Sequence, residues 1–474
     1  MPSQEPALHG LFIDGREVPA SLPDALDVIN PATGEVMATC PRADEEQLIL
    51  AVAAAKRAFP AWAALSYAKR REKLEAIADA LMARTDEFAR LLTQEQGRPL
   101  QDSVFEVMGG AMGLRAYAGF EVKGRVLRES ETERIVELRD PLGVVAAIMP
   151  WNYPLLLMLL KLGPALISGN TVVAKPAPTT PLTSLLFAEM VADMLPPGVL
   201  NMIVDANDLG GLLTQHKDVA KVSFTGSTST GKKVMESSAV SLKRLTLELG
   251  GNDAAIVLDD VDVKAAAAKI FDAAMLNAGQ ICIAVKRVYA HASIYDELCD
   301  EFARLAGKMV VGDGLKQGTT MGPLQNKLQY EKVKVFLEDA WANGKIVAGG
   351  HALDREGYFI APTIVRDIGD DARLVREEQF GPILPVMSYD EIDDAITRAN
   401  DSEYGLGGSV WTSDVERGFA VASRVKAGVV WVNKAQDVPF DMPFRPAKQS
   451  GIGEESGLEG VEGYTQARLI SVAL

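Results

Sequence analysis

The chain contains few cysteines and few histidines. Its 474 residues include three cysteines, Cys40, Cys282 and Cys299, and four scattered histidines. Three cysteines without paired spacing provide no disulfide framework, which favours a reducing cytoplasm over secretion. The histidines lack the spacing of zinc ligands, so we expect no metal site.

Basic residues and long apolar runs are also scarce. The 48 lysines and arginines face 64 acidic residues, and the formal net charge of −16 argues against nucleic-acid binding, because phosphates attract basic surfaces. The longest apolar run, residues 155–160, is too short to cross a bilayer. Residues 1–6 show no basic region followed by an apolar one, so no signal peptide is expected. We therefore predict a cytoplasmic protein with neither a nucleic-acid nor a membrane partner.

Hydrophobic residues make up 48% of the chain, and many of them lie in short strand-like segments. Residues 144–149, 171–174 and 222–224 are each followed by a turn and a helix-like stretch. This alternation predicts a doubly wound α/β sheet, in which ligands collect at the carboxyl ends of the strands. The pattern restarts at residues 254–258, which indicates a second α/β domain.

Two amphipathic helices are expected before the first of these strands. Residues 44–59 begin with Asp44 as a helix cap, followed by an acidic first turn. Residues 68–92 place large apolar residues at helical spacing. Both helices are predicted to cover the sheet with one face and to expose the other.

A lone thiol and a carboxylate upstream of it suggest covalent chemistry. Cys282 ends the segment Asn-Ala-Gly-Gln-Ile-Cys, and Glu248 lies in Leu-Glu-Leu-Gly-Gly. A thiolate is a strong nucleophile, and a carboxylate can activate the water that would clear a thioester. An isolated cysteine is more often a small hydrophobic core residue, so Cys282 alone does not decide between the two interpretations.

The segment 226–233 fits a phosphate-binding loop only in part. Its sequence is Gly-Ser-Thr-Ser-Thr-Gly-Lys-Lys, and Lys233 replaces the hydroxyl residue that would hold magnesium in a P-loop. A turn that leads into a helix N-terminus still presents free amides to a pyrophosphate. Cofactor binding and a purely structural turn therefore both remain open for this segment taken alone.

Six motifs follow one another along the chain. They are Pro150-Trp-Asn-Tyr-Pro154, Lys175-Pro-Ala177, Phe224-Thr-Gly-Ser-Thr-Ser-Thr-Gly231, Leu247-Glu-Leu-Gly-Gly251, Gly279-Gln-Ile-Cys282 and Glu378-Gln-Phe-Gly-Pro382. In order and spacing they resemble the motifs of the aldehyde dehydrogenase superfamily, and the resemblance extends from about residue 28 to residue 465. It implies NAD(P)-dependent oxidation of an aldehyde to the carboxylic acid.

The resemblance assigns three catalytic residues. Cys282 would add to the aldehyde and carry first a thiohemiacetal and then a thioester, and Glu248 would activate the water that hydrolyses the thioester. The side-chain amide of Asn152 and the backbone N–H of Cys282 would stabilise the oxyanion. Relatives that pass the acyl group to coenzyme A typically lack the general base, so Glu248 favours release of the free acid.

The resemblance also implies a set of cofactor contacts. They are Met149, Pro150, Trp151, Lys175, Ala177, Pro178, Gly226, Ser227, Thr230, Leu249, Gly250, Glu378 and Phe380. Lys175 would donate to ribose hydroxyls, Glu378 would accept from the nicotinamide ribose, and Phe380 would pack beside the nicotinamide. Pro178 stands where many NAD-preferring relatives have a glutamate, which weakens one NAD contact and removes a repulsion against the 2′-phosphate of NADP. NAD and NADP therefore both remain open, and either dual use or tolerance of NADP is expected.

Seven residues resemble the lining of the family's substrate tunnel. They are Tyr153, Leu157, Leu160, Ile281, Ile283, Phe440 and Phe444. Their apolar character favours an uncharged aliphatic or aromatic aldehyde, although leucines at this density often belong to a core.

Two alternatives to this function remain. Arg445 stands where many relatives have glycine, and a guanidinium turned into the tunnel would admit a semialdehyde with a distal carboxylate. We expect Arg445 to face outward, because an unpaired inward charge is costly. The other alternative is a non-catalytic protein on the same fold, although no catalytic position is substituted.

The resemblance implies three structural parts. A doubly wound, Rossmann-like cofactor domain comprises residues 1–122 and 142–248, and an α/β catalytic domain comprises residues 249–447. Residues 123–141 and 448–474 form a small β oligomerisation arm and the C-terminal tail. A homodimer or homotetramer is therefore expected.

Overall fold

The computed structural model describes residues 10–19, 21 and 25–474. Residues 1–6, on which the expectation of no signal peptide rests, lie outside this part of the chain. Within it, no helix is both long enough and apolar enough to span a membrane. Two large sheets and one three-stranded sheet carry the architecture.

The strands and α-helices have the following bounds. The strands are β1 Leu11–Ile13, β2 Arg16–Val18, β3 Leu26–Asn30, β4 Glu35–Cys40, β5 Arg125–Glu129, β6 Glu133–Pro141, β7 Val144–Ile148, β8 Thr171–Lys175, β9 Leu200–Met202, β10 Val219–Thr225, β11 Arg244–Glu248, β12 Asp253–Val257, β13 Val285–His291, β14 Lys345–Ala348, β15 Thr363–Arg366, β16 Ile383–Tyr389, β17 Tyr404–Gly405, β18 Gly407–Trp411, β19 Val429–Val432, β20 Ala447–Lys448, β21 Gly451–Ile452 and β22 Thr465–Ala473. The α-helices are α1 Glu45–Ala63, α2 Tyr67–Ala83, α3 Thr85–Gln96, α4 Leu100–Ala118, α5 Pro154–Ile167, α6 Leu182–Met190, α7 Gly210–Gln215, α8 Thr228–Ser238, α9 Val263–Met275, α10 Tyr295–Ala306, α11 Lys327–Asn343, α12 Arg373–Arg376, α13 Ile392–Asn400, α14 Val415–Ala422 and α15 Gly457–Glu462.

The first large sheet has eight strands in the order β2-β1-β9-β8-β7-β10-β11-β21. Its central strands β9, β8, β7, β10 and β11 are parallel. Strands β7 and β8 are buried at every position, which explains their nearly continuous apolar sequence. The order of the strands reverses between β7 and β10, and such switch points are where doubly wound sheets bind ligands. The predicted doubly wound sheet is confirmed.

The second large sheet has seven strands in the order β14-β15-β16-β13-β12-β18-β19. All neighbours are parallel except β14 and β15. The strand expected at residues 254–258 is β12, and α9 connects it to its parallel neighbour β13. The second α/β unit expected from the sequence is therefore present.

The third sheet has the order β22-β6-β5 and lies at the surface. Strand β22 of the tail pairs antiparallel with β6 along its whole length, from Thr465 opposite Pro141 to Ala473 opposite Glu133. The last strand of the chain is therefore joined to the segment of residues 123–141 by backbone hydrogen bonds.

The first expected helix is α1. The side chain of Asp44 accepts from the backbone N–H of Gln47 at 2.8 Å, and the Gln47 side chain accepts from the backbone N–H of Asp44 at 3.3 Å. This reciprocal capping box fixes the start of the helix where the sequence predicted it.

The prediction of one helix over residues 68–92 was wrong. Helix α2 ends at Ala83 and α3 begins at Thr85, with Arg84 at φ −109° and ψ 20° between them. The Thr85 hydroxyl donates to the Met82 carbonyl at 2.8 Å and so satisfies an acceptor at the end of α2. The apolar spacing continues across the break because both helices pack against α4.

Candidate active site

The site lies where loops from the two large sheets meet. The loops after β7, β10 and β11 come from the first sheet, and the loop before β13 comes from the second. Together they border a cavity of about 170 Å³. Its lining includes Pro150, Trp151, Asn152, Leu157, Gly226, Ser227, Leu249, Gly250, Cys282, Glu378 and Phe380. Predicted catalytic, cofactor and substrate residues thus surround one space.

The backbone before Cys282 has an unusual geometry. Asn277, Ala278 and Gly279 have φ angles of 52°, 54° and 72°. This left-handed region is unfavourable for the first two, and such strain is concentrated at functional sites. The buried Asn277 side chain is held in place by Gln96, whose Nε2 donates to its Oδ1 at 2.9 Å. The loop that carries Cys282 is therefore fixed by its surroundings.

The Cys282 thiol has charges of both signs around it. Burial raises the pKa of the thiol to about 12. The Lys286 ammonium lowers this pKa, whereas the carboxylates of Glu248, Glu378 and Asp253 raise it. Lys286 is thus the main group that favours the thiolate.

Asn152 lies beside the cysteine loop, and only 4% of the residue is exposed. Its Nδ2 donates to the backbone carbonyl of Gln280 at 2.9 Å. An amide NH₂ group has two hydrogens, so the second is left for a ligand in the cavity. Helix α5 begins two residues later with Pro154 in its first turn, as the sequence predicted.

A buried ion pair that sequence reasoning missed holds the Asn152 loop. Nη1 of Arg98 lies 2.5 Å from Oε2 of Glu106, and both side chains are fully buried. Arg98 also donates to the backbone carbonyl of Asn152, and its guanidinium lies 4.1 Å from the ring centroid of Tyr153. Glu106 accepts from two backbone N–H groups at the start of α5, each at 3.0 Å. No motif marks this pair: Arg98 stands in the turn before α4, and Glu106 lies within α4.

Glu248 ends strand β11 and is 5% exposed. Burial raises the pKa of its carboxyl well above the usual range, Glu455 raises it further, and Lys161 lowers it. Among the residues that the structure describes, none forms a hydrogen bond with its Oε1. A buried acceptor of this kind is costly to leave unsatisfied, which suits a carboxylate that binds a water molecule.

The two residues that act on Glu248 form a second buried pair. Nζ of Lys161, on α5, lies 2.6 Å from Oε1 of Glu455. No sequence motif marks either residue. Their separation of 294 positions explains why no local pattern reveals the pair.

A larger cavity of about 820 Å³ lies beside α8 and contains two more of the predicted cofactor residues, Lys175 and Thr230. Lys175 forms an ion pair with the fully buried Asp205, which sequence reasoning did not identify. The ammonium is therefore oriented by an acceptor next to β9. Met149, Ala177 and Pro178 lie outside the lining of both cavities, the first two being buried.

The segment from Gly226 leads into α8, as expected. The Ser227 hydroxyl caps the helix by accepting from the backbone N–H of Thr230 at 3.2 Å. The Gly226 N–H donates to the Glu248 carbonyl at 3.0 Å, so this amide is already engaged. The remaining free amides in the first turn of α8 are the donors suited to a pyrophosphate.

The side chain of Glu378 borders the cavity and lies close to the backbone of two glycines, Gly250 and Gly251. A Cβ on Gly250 would lie 2.5 Å from Oε2 of Glu378, and Oε1 accepts from the Gly251 N–H at 3.0 Å. The Phe380 ring packs edge-on against Trp151 with 5.4 Å between ring centroids. A carboxylate acceptor, an aromatic wall and a helix N-terminus fit the ribose, nicotinamide and pyrophosphate of a dinucleotide.

The predicted substrate residues fall into separate groups. Leu160 and Phe440 both approach Gly113 of α4, where an added Cβ would lie 3.4 Å from each side chain. Ile281 and Ile283 flank the cysteine, the first buried and the second half-buried. Apolar side chains therefore flank Cys282 in the chain, and Leu160 and Phe440 form a second apolar group beside α4.

Arg445 faces outward, as expected. Its Nε donates to Oε1 of Glu454 at 2.8 Å, and its Nη2 lies 3.7 Å from Oε1 of Glu459. The neighbouring Phe444 is buried and exchanges backbone hydrogen bonds with Glu455. The guanidinium is thus paired at the surface and does not enter the site.

The described part of the chain shows no metal-binding cluster of histidine, cysteine, aspartate or glutamate side chains. Its three cysteines are not bonded to one another.

Comparison with known proteins gives the family. A model of the aldehyde dehydrogenase family matches residues 18–470. The chain belongs to this family. A mitochondrial aldehyde dehydrogenase of Leishmania tarentolae is 39% identical to it, over 98% of this chain and 94% of the relative.

Two solved structures also resemble the chain closely. An aldehyde dehydrogenase from Bacillus cereus in complex with NAD⁺ has a TM-score of 0.97 at 36% identity, covering 99% of this chain and 97% of the other. An NADP-dependent enzyme of E. coli has a TM-score of 0.96 at 35% identity, covering 98% of each chain. As an aldehyde dehydrogenase, the protein oxidises an aldehyde to the carboxylic acid with NAD or NADP.

Proposed function

We propose that Cys282 is the nucleophile of this aldehyde dehydrogenase, Glu248 its general base and Asn152 an oxyanion donor. The observation that carries the proposal is the convergence of Cys282, Asn152 and the cofactor-binding residues on one cavity of about 170 Å³. Glu248 acts on the same thiol electrostatically and keeps one buried oxygen without a partner among the described residues.

In the first half-reaction, the Cys282 thiolate adds to the carbonyl carbon of the aldehyde and forms a thiohemiacetal. The oxyanion receives hydrogen bonds from the second N–H of the Asn152 amide and from the backbone N–H of Cys282. NAD(P)⁺, when bound, supplies the hydride acceptor for oxidation to the thioester. Glu378 would hold its ribose, and Trp151 and Phe380 would form the wall beside its nicotinamide.

In the second half-reaction, Glu248 takes a proton from a water molecule that attacks the thioester carbonyl. The C–S bond then breaks, the carboxylic acid leaves, and Glu248 returns the proton to the Cys282 sulfur. Burial raises the pKa of Glu248, so this carboxylate is a stronger base than an exposed one. Hydrolysis at this site releases the free acid.

Steady-state kinetics of two variants test these roles. Cys282→Ser is expected to abolish aldehyde-dependent formation of reduced nicotinamide. Asn152→Ala is expected to lower kcat by about 10²- to 10³-fold, the usual effect of losing one oxyanion donor. Continued turnover by Cys282→Ser would refute the proposed nucleophile.

We propose that the enzyme accepts both NAD and NADP. Pro178 provides no carboxylate to bind the adenosine ribose of NAD or to repel the 2′-phosphate of NADP. An NAD⁺ complex and an NADP-dependent enzyme among the similar structures support this breadth. The test is the ratio of kcat/KM for the two cofactors, which is expected to lie within about tenfold, or about 1.4 kcal/mol.

We propose an uncharged aliphatic or aromatic aldehyde as substrate. The surface pairing of Arg445 and the apolar residues Leu160, Ile281 and Phe440 support this class. Hexanal and benzaldehyde should be oxidised with higher kcat/KM than succinate semialdehyde. The reverse order would favour the semialdehyde alternative.

We propose a homo-oligomer in which the arm of residues 123–141 and the tail of residues 448–474 form contacts between subunits. Exposed apolar side chains of the arm and the tail support this, including Leu127 at 46% exposure and Leu469 at 61%. Light scattering after size exclusion distinguishes a homodimer from a homotetramer, and a monomer would contradict the proposal. Leu469→Glu is expected to weaken the assembly.

We also propose the division into a cofactor domain of residues 1–122 and 142–248 and a catalytic domain of residues 249–447. The separation of the strands into two large sheets supports it, although β21 of the tail also joins the first sheet.

We propose a cytoplasmic location, which the unpaired cysteines support. Fluorescence of a tagged chain in its host cell would test this location.

A further inference from the structure

Lys286 is a buried cation that takes no part in the reaction steps described above. It lies on β13, four positions after Cys282, and its side chain is 2% exposed. A buried ammonium is costly unless it is paired and hydrogen-bonded. Its partners therefore indicate why it is placed there.

Two of these partners are carbonyls of the cysteine loop. Nζ of Lys286 donates to the backbone carbonyl of Ile281 at 2.8 Å and to that of Cys282 at 2.7 Å. The Ile281 carbonyl and the Cys282 N–H belong to one planar trans peptide, so they point in opposite directions. An ammonium on this carbonyl fixes the direction of the N–H and polarises the peptide, which makes the N–H a better donor.

The third partner belongs to the cofactor segment. Nζ of Lys286 lies 3.5 Å from Oε1 of Glu378 and 5.9 Å from the ring centroid of Phe380. One ammonium thus connects the cysteine loop to the residues proposed to hold the nicotinamide ribose. Its positive charge also lowers the pKa of the Cys282 thiol and so favours the thiolate. Glu248, Glu378 and Asp253 act in the opposite direction and raise the same pKa.

We propose that Lys286 is a positioning residue for aldehyde oxidation, which directs the Cys282 N–H at the oxyanion and stabilises the thiolate. The proposal rests on the assignment of Cys282 as nucleophile. It requires no covalent step at Lys286, because Nζ is engaged with two carbonyls and a carboxylate.

The test variant is Lys286→Met, which keeps most of the side-chain volume and removes the charge and the donors. We expect kcat to fall by about 10²-fold, as for loss of an oxyanion donor. We also expect the rate of Cys282 alkylation by iodoacetamide at pH 8 to fall by about tenfold or more, the effect of one pKa unit on the thiolate fraction. Lys286→Gln, which also lacks the charge, replaces Lys286→Met if the latter does not fold.

Lys332→Met is the matched control. Lys332 lines the cavity that Cys282 borders, and its Nζ donates to the Glu378 carbonyl at 3.0 Å, but it makes no described contact with the cysteine loop. The pH profile of Cys282 alkylation in Lys332→Met should match that of the enzyme without substitutions. A merely structural role for Lys286 would lower the amount of folded enzyme without changing that profile.

The outcomes separate this inference from the proposed function. If Cys282→Ser is inactive and Lys286→Met keeps both kcat and the alkylation profile, only the role of Lys286 is overturned. If Cys282→Ser still oxidises aldehydes, the proposed nucleophile is wrong and the inference fails with it.

Discussion

Arg98 and Glu106 form a fully buried ion pair with 2.5 Å between Nη1 and Oε2 at the start of the helix that follows Asn152. One member binds the Asn152 carbonyl and the other caps helix α5. Asn152, the proposed oxyanion donor, is thus held by a charge pair that contributes no residue to the cavity lining.

Removal of Arg98 is expected to damage both stability and catalysis. Arg98→Met leaves Glu106 as a buried carboxylate without its partner, which typically costs about 3–5 kcal/mol of the free energy of unfolding. Because the Asn152 carbonyl loses one of its two side-chain donors, Arg98, and keeps only Asn277, kcat should fall more than KM rises. Arg98→Lys keeps a positive charge and should have intermediate kcat. Chemical denaturation and steady-state kinetics check this, and a fully stable, fully active Arg98→Met enzyme would contradict it.

The pair of Lys161 and Glu455 is expected to tune the pH dependence of deacylation. Glu248 acts in its ionised form, so the rate falls as pH drops through its pKa. Lys161 lowers this pKa, so Lys161→Met should move the acid limb of the kcat profile to higher pH. Glu455 raises the pKa, so Glu455→Gln should move the same limb to lower pH. Shifts in the same direction for both variants would exclude this electrostatic coupling.

The close approach of Gly250 to Glu378 predicts a cofactor-binding defect. A Cβ in Gly250→Ala would lie 2.5 Å from Oε2 of Glu378 and displace the carboxylate. We expect the KM for NAD to rise by about tenfold, or about 1.4 kcal/mol. Gly369→Ala is the control, because a Cβ there meets no atom within 4 Å. Unchanged KM in Gly250→Ala would mean that Glu378 does not bind the cofactor.

A carboxylate at position 178 is expected to change cofactor choice. Pro178→Glu would supply an acceptor for the ribose of NAD and a negative charge facing the 2′-phosphate of NADP. We expect kcat/KM for NADP to fall by about tenfold or more while that for NAD is kept or raised. Cofactor titrations at fixed aldehyde measure this ratio. Equal effects on the two cofactors would show that residue 178 does not face the adenosine ribose.

Local sequence patterns were sufficient to predict several buried strands and to single out several residues of the site. Apolar runs predicted β7, β8 and β10 because both faces of these strands are buried. The capping signal at Asp44 predicted the start of α1 because the cap depends on residues only three positions apart. The motifs also singled out Asn152, Cys282, Glu378 and Phe380, which the fold brings to one cavity.

The supporting charges were not predictable in the same way. Arg98 contacts the backbone of Asn152, and Lys161 pairs with Glu455. In both cases the partner is distant in sequence and no local pattern marks it. The break at Arg84 was missed because a side-chain hydrogen bond, and not the apolar spacing, ends α2. Periodicity reports which face is buried, whereas these features depend on individual polar contacts in the folded chain.

The most direct test of the account is the mass of the intact Glu248→Gln protein after mixing with hexanal and NAD. Without the general base, the thioester on Cys282 should accumulate. The protein mass should rise by that of one hexanoyl group, located on Cys282 by peptide mapping, together with a burst of about one equivalent of reduced nicotinamide per site. An unmodified Cys282 after such a burst, or an acyl group on another residue, would contradict the proposed mechanism.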